Sequence, residues 1–516
     1  MSRACIAGGR SAGARFRDCS ALAGFLMSFS APLLAGQWQL QPSVSAGETY
    51  TDNVALAPSG SEASDFVTEI TPGLAVHGQG SRSSVDLNYR LQNLIYAEDA
   101  GRNNTHNQLD AKGRIELAKN RLFLDAHSSI TQQIVDTNGR VGVDNLNLGN
   151  RANVFTYGVS PTLKLRLRSY VESQFQVSAN RVENQAAQVS DAGLDTYSVH
   201  FGSGAAFRRL LWDLNYSRQD LNRDNGPDTR RASTDADIRY RLSSTWSFLA
   251  LGGYEDNSLK QSNQVRNGSY WSAGLEWKPS RKLTASATGG GRDESARIDF
   301  EPSERTAFVV GYRHRDVGLL LGSSWDATMT HRTRLTTLQA RYTEENTSTQ
   351  TLQVTGQQFF LVQDSQGNIL IDPATGQPVV LAQNIFSLSD DEFIRKRGQI
   401  TFGVNTARSD VVLSAYNESR DYLLSKTSED VLGATASWNW KFGWRTHSLL
   451  GASWERRNPS GTDGHDDLWT TTLSLIRAIA RDASASVSYS HIARSSFQSS
   501  LTYDENRLTV QLVKKF

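Results

Sequence analysis

The chain is 516 residues long, with 54 Lys and Arg against 53 Asp and Glu, a formal net charge of +1. Apolar residues make up 38 %, below the roughly 45–50 % of soluble domains, yet 11 Trp, 16 Tyr and 20 Phe are too many for a disordered chain. The charge balance argues against a general nucleic-acid binder, which needs a basic excess. Cys5 and Cys19 both fall in the first 35 residues, so a chain cleaved there holds no disulfide, Cys-ligated zinc or Cys nucleophile.

Residues 1–35 read as an export signal. Arg3, Arg10, Arg15 and Arg17 stand against one acid, Asp18, ahead of the apolar run Ala21–Ala35. That run is too short for a membrane-spanning helix. Cleavage is expected near Ala35, although Leu33 fits the small-residue rule poorly. The alternative is a short amphipathic helix or an N-terminal anchor.

From residue 36 onward the pattern has a period of two, the signature of strands. Tyr197, Val199, Phe201, Ala205 and Phe207 oppose Ser198, His200, Gly202, Gly204 and Arg208. Thr234, Ala236, Ile238, Tyr240 and Leu242 oppose Asp235, Asp237, Arg239 and Arg241. Trp271, Ala273, Leu275 and Trp277 oppose Ser272, Gly274, Glu276 and Lys278. Leu432, Ala434, Ala436, Trp438, Trp440 and Phe442 oppose Gly433, Thr435, Ser437, Asn439 and Lys441. One face of each strand is apolar, the other polar or small.

A soluble sandwich alternates too, and three features decide against it. Trp271 with Trp277, and Trp438, Trp440 and Phe442 together, place aromatics at strand ends, as in the girdles of outer-membrane barrels. Short turns (79–84, 117–122, 278–282, 301–304, 331–334, 441–446) alternate with long polar loops (135–150, 184–193, 222–230, 457–465). The C-terminal Leu508, Val510 and Leu512 alternate down to Phe516, resembling the signal read by the outer-membrane assembly machinery. The expected fold is all-β: a transmembrane antiparallel outer-membrane barrel over 36–516, of about 24 strands, range 20–26. Its expected location is the bacterial outer membrane. Pro279 and Pro302 fall in short turns, while Pro72 and Pro161 fall inside strands and predict bulges. Residues 346–392 break the rhythm as a long insertion with a small hairpin, reading more as a decorated surface loop than as a lumen constriction.

The segments "WQLQPSVSAGETYTDNV", "ITPGLAVHGQGSRSSVDLNYRLQNLIY" and "SERTAFVVGYRHRD…WDATMTHRTRLTTLQARYTEE" resemble the outer-membrane barrel family associated with PEP-CTERM/exosortase systems. The resemblance implies a role in envelope polysaccharide or surface-protein export. It specifies no catalytic motif.

Signals for chemistry are sparse. The one G-x-S-x-G, Gly9–Gly13, lies in the leader, and no H-E-x-x-H or Walker loop is present. Gly289–Gly291 reads as a flexible loop entrance. His200 stands without an inferable Ser–His–acid set. Acidic clusters (Asp463, His465, Asp466 and Asp467; Asp390, Asp391 and Glu392) read as solvated loops sooner than cation sites. No catalytic residue, cofactor or metal is expected.

About 24 strands give a backbone diameter of roughly 45–50 Å, too wide for side chains to fill. Asp235, Asp237, Arg239, Arg241, Glu276, Lys278 and His200 are the lumen-facing candidates. Their mixed charge suits a neutral or weakly charged polymer better than selection by ion sign. A TonB-dependent transporter would need a large plug ahead of its first strand, whereas the first strand here begins almost at the expected cleavage site. The leading expectation is a non-enzymatic channel or scaffold for exopolysaccharide export. Its partners would be membrane lipid, lipopolysaccharide, the assembly machinery, polysaccharide and periplasmic export proteins, with no nucleic acid. The alternatives are a general or solute-specific porin and, less favoured, a barrel-borne surface enzyme.

Overall fold

The computed structural model describes residues 36–516 apart from 137, 143, 187–188, 260–265, 356–358, 362–379, 384–387 and 460–463. The leader and Asp463 lie outside the described residues. The chain forms a single 24-stranded sheet in which each strand pairs with its neighbours in sequence. The last strand, Tyr503–Lys515, returns to the first, Gly36–Thr51, with Thr51 opposite Arg507 and Ser43 opposite Lys515. That pairing closes the sheet into a barrel, with Gly36–Gln41 extending beyond it on the second strand alone.

The face each residue takes follows from the two-residue period. In the last strand, Leu508, Val510 and Leu512 are exposed on the outside, while Glu505, Arg507 and Val513 turn inward and are buried. Connections at one end are short, as at 81–82, 281–282 and 304–305; those at the other are longer, as at 52–64, 135–150 and 497–502. One connection at the long-loop end breaks the rule. Arg292 alone, in a left-handed conformation (φ 63°), joins Leu283–Gly291 to Asp293–Ser303. The glycine run closes a strand and leads into the tightest turn in place of a loop.

The prolines behave differently from expectation. Around Pro72 the pairing runs from Ile70–Asn93 to Gly73–Arg90 without a change of register, and around Pro161 from Val159–Ala179 to Thr162–Gln176. Neither is a bulge. The missing N–H leaves a local gap that side chains span: Asn93 donates to the Ile70 carbonyl (2.9 Å) and Ser160 to Ser178 (2.8 Å). Register shifts occur instead between Trp277 and Ser280 and between Phe300 and Ser303, beside Pro279 and Pro302 at strand ends. There a slip disturbs only a turn, whereas mid-strand it would invert every following side chain.

One seam is incomplete. Gly322–Arg332 and Thr336–Ser348 pair only from Ala327–Tyr342 to Arg332–Thr337. Above that, Gly322–Asp326 stays with the strand before it and Thr343–Ser348 with the strand after it.

Candidate functional site: the closed mouth of the barrel

At the short-turn end, residues 238–244 and 277–282 are exposed whichever face they occupy, so no connection folds over the wall there. At the long-loop end the inner wall turns apolar. Leu94 and Tyr96, Val154, Val182, Leu194, Leu221, Phe393, Ile492 and Tyr503 are all buried, and three connections fold onto them.

In the 52–64 loop, the Asn53 side chain donates to the carbonyls of Ala57 (2.8 Å) and Asp504 (2.9 Å). The resulting bend sets Leu56, at φ 50°, against Ile492 and Tyr503. In the 135–150 loop, Leu146 packs with Val54, Val67, Leu94 and Tyr96. The Tyr96 hydroxyl donates to the Leu146 carbonyl (2.6 Å), and that of Tyr503 to the Val141 carbonyl (2.5 Å). The third is a short helix, Thr349–Thr355. It inserts Leu352 among Val154, Val182, Leu388 and Phe393, while Gln353 donates to Gln133 (3.0 Å). The described ends of the 346–392 insertion therefore lie inside the mouth and do not decorate the surface. The expected hairpin is present, with Phe359–Leu361 pairing with Val380–Gln383.

Around this plug the wall carries ion pairs. Glu418 accepts from Arg395 (2.8 Å), Arg397 (2.6 Å) and Arg420 (2.6 Å). Arg420 continues to Glu429 (2.9 Å), and Asp466 holds Arg494 (2.9 Å) and Arg457 (3.3 Å). A second group surrounds Asp293, which accepts from Arg313 and Arg315 (2.9 Å each) and from Ser272 (2.8 Å). Across the bore, Arg231 reaches Glu392 (2.7 Å) and the Asn346 carbonyl (3.0 Å). The acids of the two loop clusters are engaged likewise: Asp467 with Arg456, Asp390 with Ser190 and Gln350, Asp391 with the Leu424 and Ser425 amides.

Arg507 tethers the 135–150 loop through Asp144 (2.5 Å). Burial pushes the Asp144 carboxyl up, but the Arg507 guanidinium overrides it and holds the group below its usual range. A depressed carboxylate contributes above its unfolded pKa, near 3.9, and stops contributing as pH falls through its folded value. The side chain is 43 % exposed, so the pair is worth no more than about 1 kcal/mol, or about fivefold in an opening equilibrium. Single-channel flicker is thus expected to be constant from pH 8 to about pH 4 and to rise up to about fivefold below it. Asp144→Asn is expected to abolish that step.

Asp235, Asp237, Arg239 and Arg241 occupy the face opposite the exposed Ile238 and Tyr240. Arg239 pairs with Glu276 (2.9 Å), Asp235 accepts from Tyr270, and Lys278 is exposed near the turn. His200 meets Asn215 (2.8 Å) and Asp213 (3.7 Å), an amide and a carboxylate and not a nucleophilic hydroxyl. On the outside, Trp271 stands toward the long-loop end and Trp277 toward the turns, its ring 6.2 Å from Trp246. Trp438 and Trp440 (5.5 Å) and Phe442 form a run of contacting rings at the turn end. Phe516 is exposed, its amide bonded to the Pro42 carbonyl (2.9 Å). Sequence reasoning missed the plug-bearing wall. The signal was available in "NLIY" (93–96), where apolar residues occupy both faces.

A family model described as "Putative beta-barrel porin 2" matches residues 33–139, the first strands of this closed ring. The protein is a β-barrel of the bacterial outer membrane. Solved structures similar to the barrel include the FrpB iron transporter of Neisseria meningitidis, F5-1 variant, at 9 % identity over 94 % of this chain and 82 % of that one, with a TM-score of 0.48. The siderophore receptor PirA of Pseudomonas aeruginosa is 10 % identical over 93 % and 80 %, with a TM-score of 0.41. OpdK of the same organism, solved with vanillate, is 9 % identical over 93 % and 99 %, with a TM-score of 0.34. At these values the likenesses say nothing of cargo. No curated protein sequence matches the barrel.

Proposed function

We propose that the barrel is a non-enzymatic passage for a bulky, neutral or weakly charged hydrophilic substrate, with an exopolysaccharide leaving the periplasm as the leading case. The observation that carries this reading is the self-compensation of the inner wall. Around the plug, arginines face carboxylates at hydrogen-bond distance, as at Glu418, Asp293 and Asp466. A wall whose charges are spent on one another offers no strong field to either ion sign, while its hydroxyls, amides and guanidinium edges remain suited to sugars. The backbone diameter of roughly 45–50 Å encloses more room than a small solute requires. The sequence resemblance to exosortase-associated barrels supports the same direction, and the porin match supports the second reading, a general or solute-specific porin.

Two measurements separate them. In planar bilayers, potassium and chloride permeabilities are expected to agree within about twofold; strong selectivity for either would overturn the neutral-substrate reading. In a deletion strain, surface polysaccharide is expected to fall while periplasmic polysaccharide rises. Unchanged amounts in both fractions, with slowed sugar uptake, would establish the porin in its place.

A further inference from the structure

The incomplete seam has a structural cause. Extending the register of Ala327–Tyr342 would set Asp326 against Thr343, Ser324 against Glu345 and Ser323 against Asn346, but the ladder stops. The upper part of Thr336–Ser348 leaves its neighbour because it is pulled inward. Arg231 binds the Asn346 carbonyl and Glu392 from across the bore, and the chain then continues into the buried helix carrying Gln350 and Leu352. Gly322–Asp326 stays on the strand Thr306–Arg315. The wall divides between them.

The two lips differ in chemistry from outside to inside. Facing the membrane are Trp325, half exposed, its ring 4.8 Å from Tyr312, and Tyr342, which donates to Glu344 (2.8 Å). Facing the lumen are Ser324, Asp326, which meets Arg297 (3.6 Å), and Glu345, which meets Arg395 (3.3 Å). At the edge, both side-chain amide atoms of Asn346 are out of solvent and without a hydrogen-bond partner. An unsatisfied buried amide costs about 1–3 kcal/mol, and a polar ligand would relieve that cost.

An open strand edge within a membrane is costly unless it borders a polar cavity or an occupant. We propose that the seam between Gly322–Asp326 and Thr343–Thr347 is a lateral passage from the lumen to the outer leaflet, occupied by an acyl-chain amphiphile. The acyl chain lies against Trp325 and Tyr342, and the head enters between Ser324 and Glu345. Carboxylates on both lips, Asp326, Glu344 and Glu345, select an uncharged, hydroxylated head over a phosphate. Arg231 is a positioning residue that holds the passage apart. The inference does not depend on the polysaccharide reading, since it concerns the wall and not the axial bore.

The test uses the purified full barrel, whose described residues contain no cysteine. Thr330→Cys with Gln339→Cys sits in the paired part of the seam, and Ser324→Cys with Glu345→Cys at the equivalent inward positions above it. Oxidation of the upper pair is expected to be about tenfold or more slower, because disulfides need Cα atoms within about 7 Å. Adding Arg231→Leu is expected to restore fast oxidation. A fluorophore on Ser324→Cys, in phosphatidylcholine vesicles containing a glycosyl diacylglycerol brominated near the acyl carbonyls, is expected to be quenched more than one on Thr330→Cys. Equal oxidation of the two pairs, or equal quenching at the two sites, would overturn the proposal. Oxidation of the upper pair that is slow yet unaccompanied by quenching would also overturn it, assigning the edge to a protein strand instead.

Discussion

Glu418→Ala is expected to lower the barrel's unfolding free energy by about 3–5 kcal/mol, the usual cost of removing one partner from a buried ion pair. Glu418 and Arg420 are each only 1 % exposed, and the carboxylate serves Arg395, Arg397 and Arg420 together. Its loss leaves three inward guanidinium groups competing for Glu429 and Glu345. Against a typical stability of about 5–15 kcal/mol this is a large fraction, visible as a shifted urea midpoint in micelles or as loss of the heat-modifiable gel band. Glu418→Gln keeps one acceptor oxygen and is expected to cost less. Asp86→Ala serves as control, because Asp86 is 64 % exposed beside His77, and pairs of that kind contribute about 0–1 kcal/mol. An equal loss in both alanine variants would show that burial of the network has no bearing on stability.

Excising the plug should change transport more than any point substitution. Replacing 135–150 and 349–391 with short turns, joining Ile134 to Arg151 and Ser348 to Glu392, is expected to raise single-channel conductance several-fold. The described loops fold onto the wall at one end only, so they are the expected constriction. Either excision alone is expected to do less, since Leu146 and Leu352 pack in separate apolar clusters. Each buried aliphatic side chain contributes about 1.5–3 kcal/mol, which outweighs the Asp144–Arg507 tether and explains why acid should loosen the plug without expelling it. Conductance unchanged in the doubly shortened barrel would mean that the constriction lies elsewhere.

The wall was legible in the sequence because the membrane enforces it. Outward residues such as Leu508, Val510 and Leu512 must be apolar, and any strand so constrained alternates. The plug was not legible, because its contacts join segments far apart in the chain: Gln353 with Gln133, Asn53 with Asp504. Local pattern carried only a hint, the doubled apolar face at Leu94–Tyr96, and nothing marked Leu56 or Leu352 as interior. The seam was further out of reach, because it depends on Arg231 drawing Asn346 across the bore. Pro72 and Pro161 misled for a simpler reason. A missing N–H can be absorbed as a local gap when Asn93 or Ser178 stands ready to bridge it.

The joining of Ser43–Thr51 to Arg507–Lys515 also constrains how the protein is made. Thr49 and Thr509, bonded to each other at 2.9 Å, are 460 residues apart, so the hairpins can form long before the ring can. Until the final residues arrive, the first strand has an unsatisfied edge, which hydrocarbon does not tolerate. Contacts of such long range are also slow to form. Assembly must therefore wait for a complete polypeptide, and a nascent chain stalled before Tyr503 would be a substrate for periplasmic proteolysis in place of a smaller barrel.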